Sequence, residues 1–363
     1  MRSRTDMRSL ILSATLALAF PAAAQLDSAF TLSGYAEAYY SYELSNPDDH
    51  LRQGPFYSFN RHNEVNLNVG YAKLAYAKNN VRGNFALMAG TYVQYNLVAE
   101  PELLRSVFEA NVGVKLSKTR ELWIDAGIMP SHIGFESAIG ADCWNLTRSL
   151  LAENSPYYEA GVKLGYTSPS EKWYAAGMLL NGWQRIARPD GNNTPAFGTQ
   201  ITFKPSDKVT LNWSTFVGND MPDSVSQIRY FSNLYAQLQI TERFGITAGF
   251  DYGMQEAATG DSSSTWMSLV LILRFQLGDR SWIAARWELY QDTDGAIVGA
   301  TGTPNGFNTM GYSVNYDRKV SDNVLWRIEA RALNGQDKLF VDDSNVATTS
   351  NVFITTSLSI RFL

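Results

Sequence analysis

The sequence predicts an all-β fold: a transmembrane antiparallel β-barrel of about sixteen strands, with short turns on one rim and long loops on the other. Three observations predict it. A hairpin with one apolar and one mixed face repeats along the chain, its connections alternate between short and long, and no apolar run after residue 24 could cross a membrane as a helix.

The hairpin is clearest from Thr265 to Tyr290. Met267, Leu269, Leu271, Leu273, Phe275 and Leu277 share one parity, and Trp266, Ser268, Val270, Ile272, Arg274 and Gln276 share the other. Side chains alternate faces along a strand, so the first set makes a wholly apolar face. After Gly278 to Arg280 the pattern resumes, with Ile283, Ala285, Trp287 and Leu289 opposite Arg286 and Glu288.

The N-terminal segment precedes this pattern. Arg2, Arg4 and Arg8 lead into an apolar run from Leu10 to Phe20, and Pro21 precedes Ala22-Ala23-Ala24 before Gln25. A basic start, a short apolar centre and a small-residue end predict a signal peptide over residues 1–24, with the barrel domain over 25–363. Removing three Arg and one Asp takes the formal charge from −5 to −7, which argues against a nucleic-acid partner. Cys143 is the one cysteine, so no intrachain disulfide forms.

Period-2 segments bounded by turn residues predict strands near 29–44, 63–78, 81–96, 105–117, 120–129, 157–167, 171–184 and 195–204, then 207–217, 229–240, 243–254, 264–277, 281–292, 306–319, 323–334 and 351–362. Most are long enough to cross a bilayer at a tilt. Asn79-Asn80, Ser117 to Thr119, Ser168 to Ser170, Pro205-Ser206, Thr241-Glu242, Gly278 to Arg280 and Ser321-Asp322 form one class of connection, short and rich in turn formers. The intervening connections are long, reaching Pro130 to Pro156. A β-sandwich has no reason to alternate this way, whereas an outer-membrane barrel does.

Parity separates the faces. Val209, Leu211, Trp213, Thr215 and Val217 are assigned to lipid, as are Phe108, Ala110, Val112, Val114 and Leu116, and Val324, Trp326, Ile328, Ala330 and Ala332. Lys73 shares parity with Val65, Leu67, Val69 and Tyr71, which predicts either a bulge near Gly70 or a strand end close to Lys73. Tyr40, Tyr42, Trp287, Tyr312, Tyr316 and Phe362 are candidates for interfacial girdles.

The lumen-facing set includes the candidate pore-lining residues Arg82, Glu109, Lys115, Lys163, Arg229, Arg274, Arg286, Glu288, Arg327, Glu329 and Arg331. Across the inferred lumen the signs nearly balance, which predicts weak ion selectivity from total charge, with any preference set at a constriction. The bland role for any one of these residues is pairing with a neighbour on the wall. The loop from Pro130 to Pro156 is the candidate constriction, carrying Glu136, Asp142, Arg148 and Glu153 into the lumen. Its alternatives are an external cap or a packing surface for another barrel.

Signals for catalysis are poor. His50, His62 and His132 have no metal-ligand spacing, no phosphate loop is present, and Ser131-His132 lacks an assignable acid, so neither cofactor nor enzyme activity is expected. Asp48-Asp49 and Asp342-Asp343 lack the spacing of a calcium loop.

The final strand, Asn351 to Leu363, ends on Phe362-Leu363 and resembles the C-terminal signal read by the barrel-assembly machinery of Gram-negative bacteria. The segments Asp125 to Gly140 and Trp144 to Tyr166 resemble the OmpL-like beta-barrel porin-2 family of outer-membrane proteins. The resemblance implies a barrel seated in outer-membrane lipid and lipopolysaccharide, passing small hydrophilic solutes or ions, with a homo-oligomer possible and no family binding residues to carry over. The competing function is a receptor or adhesin working through its long loops, with a hydrolase a more distant alternative.

Overall fold

The computed structural model describes residues 28–258 and 262–362. The expected signal peptide, residues 1–24, lies outside them. Strands β1 (Phe30–Glu43), β2 (Val65–Lys78), β3 (Val81–Ala89), β4 (Val107–Lys115), β5 (Glu121–Pro130), β6 (Tyr158–Thr167), β7 (Trp173–Leu180) and β8 (Ala196–Ser206) build one part of the wall. The wall continues through β9 (Val209–Asn219), β10 (Ile228–Gln239), β11 (Phe244–Glu256), β12 (Ser263–Gly278), β13 (Ser281–Asp292), β14 (Phe307–Lys319) and β15 (Val324–Gly335). A small hairpin of β16 (Phe340–Val341) and β17 (Ala347–Thr348) interrupts the last loop before β18 (Ser350–Phe362). β18 pairs with both β15 and β1 and closes an antiparallel barrel of sixteen strands. Closure leaves no unpaired edge, the condition for a sheet to cross lipid.

Local chemistry explains the turns and the register. Asn79 and Asn80 both adopt positive φ, 53° and 63°, as a two-residue hairpin turn matched to strand twist requires. Glu37 pairs with Val69 and Ala38 with Leu67, so Asn68 is an extra residue. This bulge reverses the parity: Val65 and Leu67 face outward, while Val69 is fully buried and Lys73 turns in to meet Glu109 at 2.9 Å. The bulge expected from Lys73 is therefore present, just before Gly70.

A second register shift, between Ala86 and Leu87, skips Phe108. Phe108 was expected on the lipid face, but its ring stacks on Tyr71 at 5.0 Å, and Tyr71 stacks on the buried Tyr35. Two expected strands also end early. The segment 81–96 leaves the sheet after Ala89, where Gly90 takes φ 134° and a Cβ would lie 2.3 Å from the Asn68 carbonyl oxygen. Residues Thr91–Asn96 form helix α1, with Tyr92, Val93 and Asn96 buried. The segment 171–184 contributes only Trp173–Leu180, after which Trp183 packs edge-on against Phe216 and Phe231.

The outer face is predominantly apolar. Leu211, Trp213, Leu234, Leu271, Leu273, Val314 and Leu358 all stand exposed there, and Tyr40, Tyr42, Trp287, Tyr312, Tyr316 and Phe362 lie on the same outward side. A patch of this extent suits lipid, where an Arg or Lys at mid-depth would cost about 2–4 kcal/mol. The inner face is less polar than the sequence suggested. Toward the long loops, Phe216, Phe231, Trp266, Tyr290, Phe307, Leu333 and Phe353 point inward and form one buried cluster, joined by Phe56 from the first loop.

Candidate functional site

The connection between β5 and β6 does not stay outside the barrel. Residues 131–157 fold into the lumen, and Leu146, Arg148, Ser149, Leu150 and Leu151 are at most 1% exposed. Within it Leu150–Glu153 forms a short helix, α2, whose cap Ser149 accepts a hydrogen bond from the Ala152 amide at 3.2 Å.

Three kinds of contact hold this inner loop. The first is at its start. His132 Nδ1 donates to Glu159 Oε1 at 2.6 Å and Nε2 donates to the Thr215 carbonyl at 2.8 Å. The Thr215 carbonyl accepts only, and a carboxylate at Glu159 accepts as well, so this setting favours the doubly protonated imidazolium. Burial disfavours that charge, but the Glu159 carboxylate and the two acceptors outweigh it and raise the His132 pKa.

The second contact is apolar. Phe135, Trp144 and Leu151 pack against Val270, Ile272 and Ala284 on the inner faces of β12 and β13. Their approach needs glycines on β11: a Cβ at Gly249 would lie 2.7 Å from the Phe135 ring, and one at Gly245 would lie 2.6 Å from Trp144. A fully buried leucine contributes about 1.5–3 kcal/mol, so Leu150 and Leu151 are strong anchors.

The third contact is ionic and fully enclosed. Arg286 pairs with Glu329 at 3.1 Å, Arg331 with Glu288 at 2.6 Å, and Arg327 with Asp317 at 2.6 Å. The same side chains grip the loop backbone. Arg286 donates to the Thr147 carbonyl at 2.6 Å, Arg331 to the Arg148 carbonyl at 2.8 Å, and Arg327 to the carbonyls of Gly140, Cys143 and Trp144. In return Glu329 accepts from the Thr147 amide at 2.6 Å and Glu288 from the Leu150 amide at 2.7 Å. Each ion pair thus also satisfies loop groups that would otherwise be buried without partners.

The candidate pore-lining residues divide accordingly. Arg286, Glu288, Arg327, Glu329 and Arg331 face inward but do not border open space, because the inner loop covers them to 2% exposure or less. Arg274 is partly covered, pairing with Asp317 at 3.4 Å between the rings of Trp144 and Trp282. On the other side of the lumen the charges are more open. Arg82 makes a two-pronged pair with Asp125, 2.7 and 2.6 Å, over the Trp123 ring. Glu109 pairs with Lys73, Lys115 pairs with Glu121, and Lys163 is half-buried opposite Asp125. Arg229 lies near the long-loop rim, 3.2 Å from Asp220.

Loop residues named from sequence also separate by role. Arg148 donates to the carbonyls of Leu146, Ala138 and Ser137, stapling the loop to itself. Glu136 accepts from the amide and hydroxyl of Ser149. Glu153 receives the Tyr57 amide at 2.9 Å, tying the first long loop to the inner one, and burial pushes its pKa up to about 7. Asp142 reaches Arg361 at 2.5 Å, where both are about half exposed.

Two cavities border the inner loop and a third lies apart from it, near the short turns. One of about 370 Å³ is bordered by Lys73, Phe108, Glu109, Glu136, Asp142 and Tyr158. One of about 570 Å³ near the short turns is bordered by Arg82, Glu121, Trp123, Lys172, Tyr174 and Lys204. One of about 270 Å³ near the long loops is bordered by Tyr95, Asn96, Glu153, Trp183, Arg185 and Arg229.

Sequence reasoning missed the residues that present loop backbone or take one wall contact, notably His132, Asn145, Thr147 and Ser149. Nothing in residue type or spacing marks them, because their role depends on where the loop lands. Ser131 and His132 are not a nucleophile and its base. The Ser131 hydroxyl donates to Glu159, and neither imidazole nitrogen is free to take its proton. Among the described residues no three His, Cys, Asp or Glu side chains gather as a metal site. Burial pushes the Cys143 thiol up to about 11, far from a reactive thiolate.

A closed sixteen-strand barrel with an inward-folded loop defines the class of channel-forming outer-membrane porins. The family model described as "Putative beta-barrel porin-2, OmpL-like" matches residues 29–362, and the chain belongs to that family. Solved structures agree on the fold. The anion-selective porin from Comamonas acidovorans superposes with a TM-score of 0.60 at 9% identity, covering 92% of this chain and 99% of that one. A trimer form of OmpT from Vibrio cholerae gives 0.57 at 8% identity, covering 92% and 99%. OmpF from Salmonella typhi, in complex with daunomycin, gives 0.59 at 11% identity, covering 92% and 97%. A search of curated proteins finds no match.

Proposed function

We propose that this porin passes small hydrophilic solutes and ions by passive diffusion, through the part of the lumen that the inner loop leaves uncovered. One observation carries this reading: the loop is locked to β12–β15, while on the other side Arg82 on β3 borders a cavity of about 570 Å³ and Lys115 and Lys163 on β4 and β6 are not fully covered. In this reading Arg82, Glu109, Lys115 and Lys163 line the passage and Arg229 its long-loop mouth. Arg286, Glu288, Arg327, Glu329 and Arg331 hold the constriction rather than touch solute. Glu136, Asp142, Arg148 and Glu153 shape the loop that narrows the pore.

Membership of a porin family supports the remaining parts of this proposal. Residues 1–24 direct export, outer-membrane lipid and lipopolysaccharide surround the apolar face, and the barrel-assembly machinery reads the strand ending at Phe362. The trimer form of the Vibrio cholerae protein supports a homo-oligomer here. No enzymatic role is proposed, since the Ser131, His132 and Glu159 contacts serve to anchor the loop.

Single-channel recording of refolded residues 25–363 in a planar bilayer tests the reading. Discrete, stable steps are expected, and deleting residues 138–150 is expected to enlarge them. A barrel shown to be folded by heat-modifiable gel mobility, yet silent, would shift the function to the long loops. Unchanged steps in the deletion would remove the constriction role.

A further inference from the structure

Counting all lumen charges gives near balance, but the charges left free to meet a solute are unequal. Toward β13–β15 the acids Asp317, Glu288 and Glu329 are spent on arginines and loop amides, out of reach of any passage. On the open side the acids are engaged as well: Glu109 by Lys73, Asp125 by Arg82, Glu121 by Lys115, and Glu159 by His132. Lys163, Lys172 and Lys204 have no carboxylate partner among the described residues. Lys172 and Lys204 border the turn-rim cavity of about 570 Å³, and Lys163 projects inward from β6. Against these three stands Glu171, the one unpaired carboxylate bordering that cavity.

The cavity of about 270 Å³ near the long loops shows the same bias locally. Arg229 is matched by Asp220, and Glu153 is turned into the backbone of Tyr57. Arg185 donates to the Ala99 carbonyl and has no carboxylate partner among the described residues.

We propose that the channel prefers anions, and that Lys163, Lys172 and Lys204 form the track that sets this preference on the turn-rim side. This rests on the channel reading above and names the solute class it favours. Unpaired lysines along a narrow passage with low-dielectric walls concentrate counter-ions there, and basic side chains are the usual lining of anion pores. A paired lysine contributes little to that field, since its carboxylate cancels it within a few ångströms.

The test is the zero-current potential of the refolded protein under a potassium chloride gradient. Wild type is expected to show the sign set by chloride. The triple substitution Lys163→Glu, Lys172→Glu and Lys204→Glu is expected to invert it, while Lys338→Glu, on a distant exposed loop, keeps the wild-type sign. Should the acidic triple fail to fold, glutamine at the same three positions is expected to abolish most of the preference. Channels that prefer potassium, or a potential unmoved by either triple, would overturn the proposal and leave the porin standing. A folded barrel without any conductance would instead overturn the channel reading, and this inference with it.

Discussion

The two sides of the lumen use the same residue types for opposite ends. Along β13–β15, arginines and carboxylates lie under the inner loop at 2% exposure or less, and their hydrogen bonds go to one another and to loop backbone. Along β3–β8, Arg82, Lys163 and Lys204 remain partly exposed, and of these three Arg82 alone pairs with a carboxylate, that of Asp125, among the described residues. An inward charge is therefore not in itself a pore charge. Its role depends on whether loop atoms or water complete its hydrogen bonds. A buried pair broken by removing one member costs far more than an exposed pair, and this difference makes the comparison measurable.

Removing Arg286 should have the largest effect. Arg286→Ala leaves Glu288 and Glu329 buried beside one cation fewer and frees the Thr147 carbonyl. A loss of about 3–5 kcal/mol is expected in denaturant unfolding of the refolded protein. Larger, noisier conductance steps should accompany it as the loop loosens. If the variant unfolds like wild type, the enclosed network is not what holds the loop.

The outer face supplies the next largest effect and checks that inside and outside have been assigned correctly. Leu271→Arg puts a charge on the lipid side of β12 and should cost about 2–4 kcal/mol in assembly, read as loss of heat-modifiable barrel. Arg274→Ala, three residues on and facing inward, should fold normally. Equal tolerance of the two would overturn the face assignment.

Most of the barrel was legible because its rules are local. Alternation marked the strands, paired asparagines marked a tight turn, and Lys73 on an apolar parity forecast the bulge found at Asn68. The misses came where a local pattern fits two structures. Thr91 to Asn96 alternates like a strand, yet Gly90 lets the chain leave the sheet, and Tyr92, Val93 and Asn96 then bury one face of a helix. Phe108 followed strand parity until a register shift turned it inward. The aromatic collar of Phe216, Trp266 and Phe353 was hidden because parity puts a ring on the mixed face without showing that rings from separate strands meet there. The charged residues of the site were named, but their division into covered and open sets was not, since it depends on contacts between residues more than a hundred positions apart.

Two titrating groups on the inner loop sharpen the comparison with smaller effects. His132 has a raised pKa, so its anchorage is fully present below its ordinary value of 6.5 and is lost as pH rises through the folded value. Glu153 is raised to about 7 from 4.5, so the folded state gains stability as pH falls from about 7 toward 4.5. Each group contributes at most one proton, a slope of about 1.4 kcal/mol per pH unit within its window. Unfolding midpoints measured from pH 4 to 10 should therefore fall first through the Glu153 window and then through the His132 window. Glu153→Gln should flatten the acidic limb and His132→Gln the alkaline one. A profile that neither variant changes would mean that these contacts do not hold the loop.

The smallest effect belongs to the open side. Arg82→Gln breaks a geometrically good pair with Asp125, but Arg82 is about 40% exposed, so water can take its place at Asp125. The expected loss is about 0.2–1 kcal/mol, several times less than for Arg286. The same substitution should move the zero-current potential toward potassium, because it leaves Asp125 uncompensated beside the lysine track. Arg82→Gln and Arg286→Ala therefore form a pair: one should shift selectivity with little cost in stability, and the other should lower stability and widen the channel. If their effects were exchanged, the open and covered sides of the lumen would have to be exchanged as well.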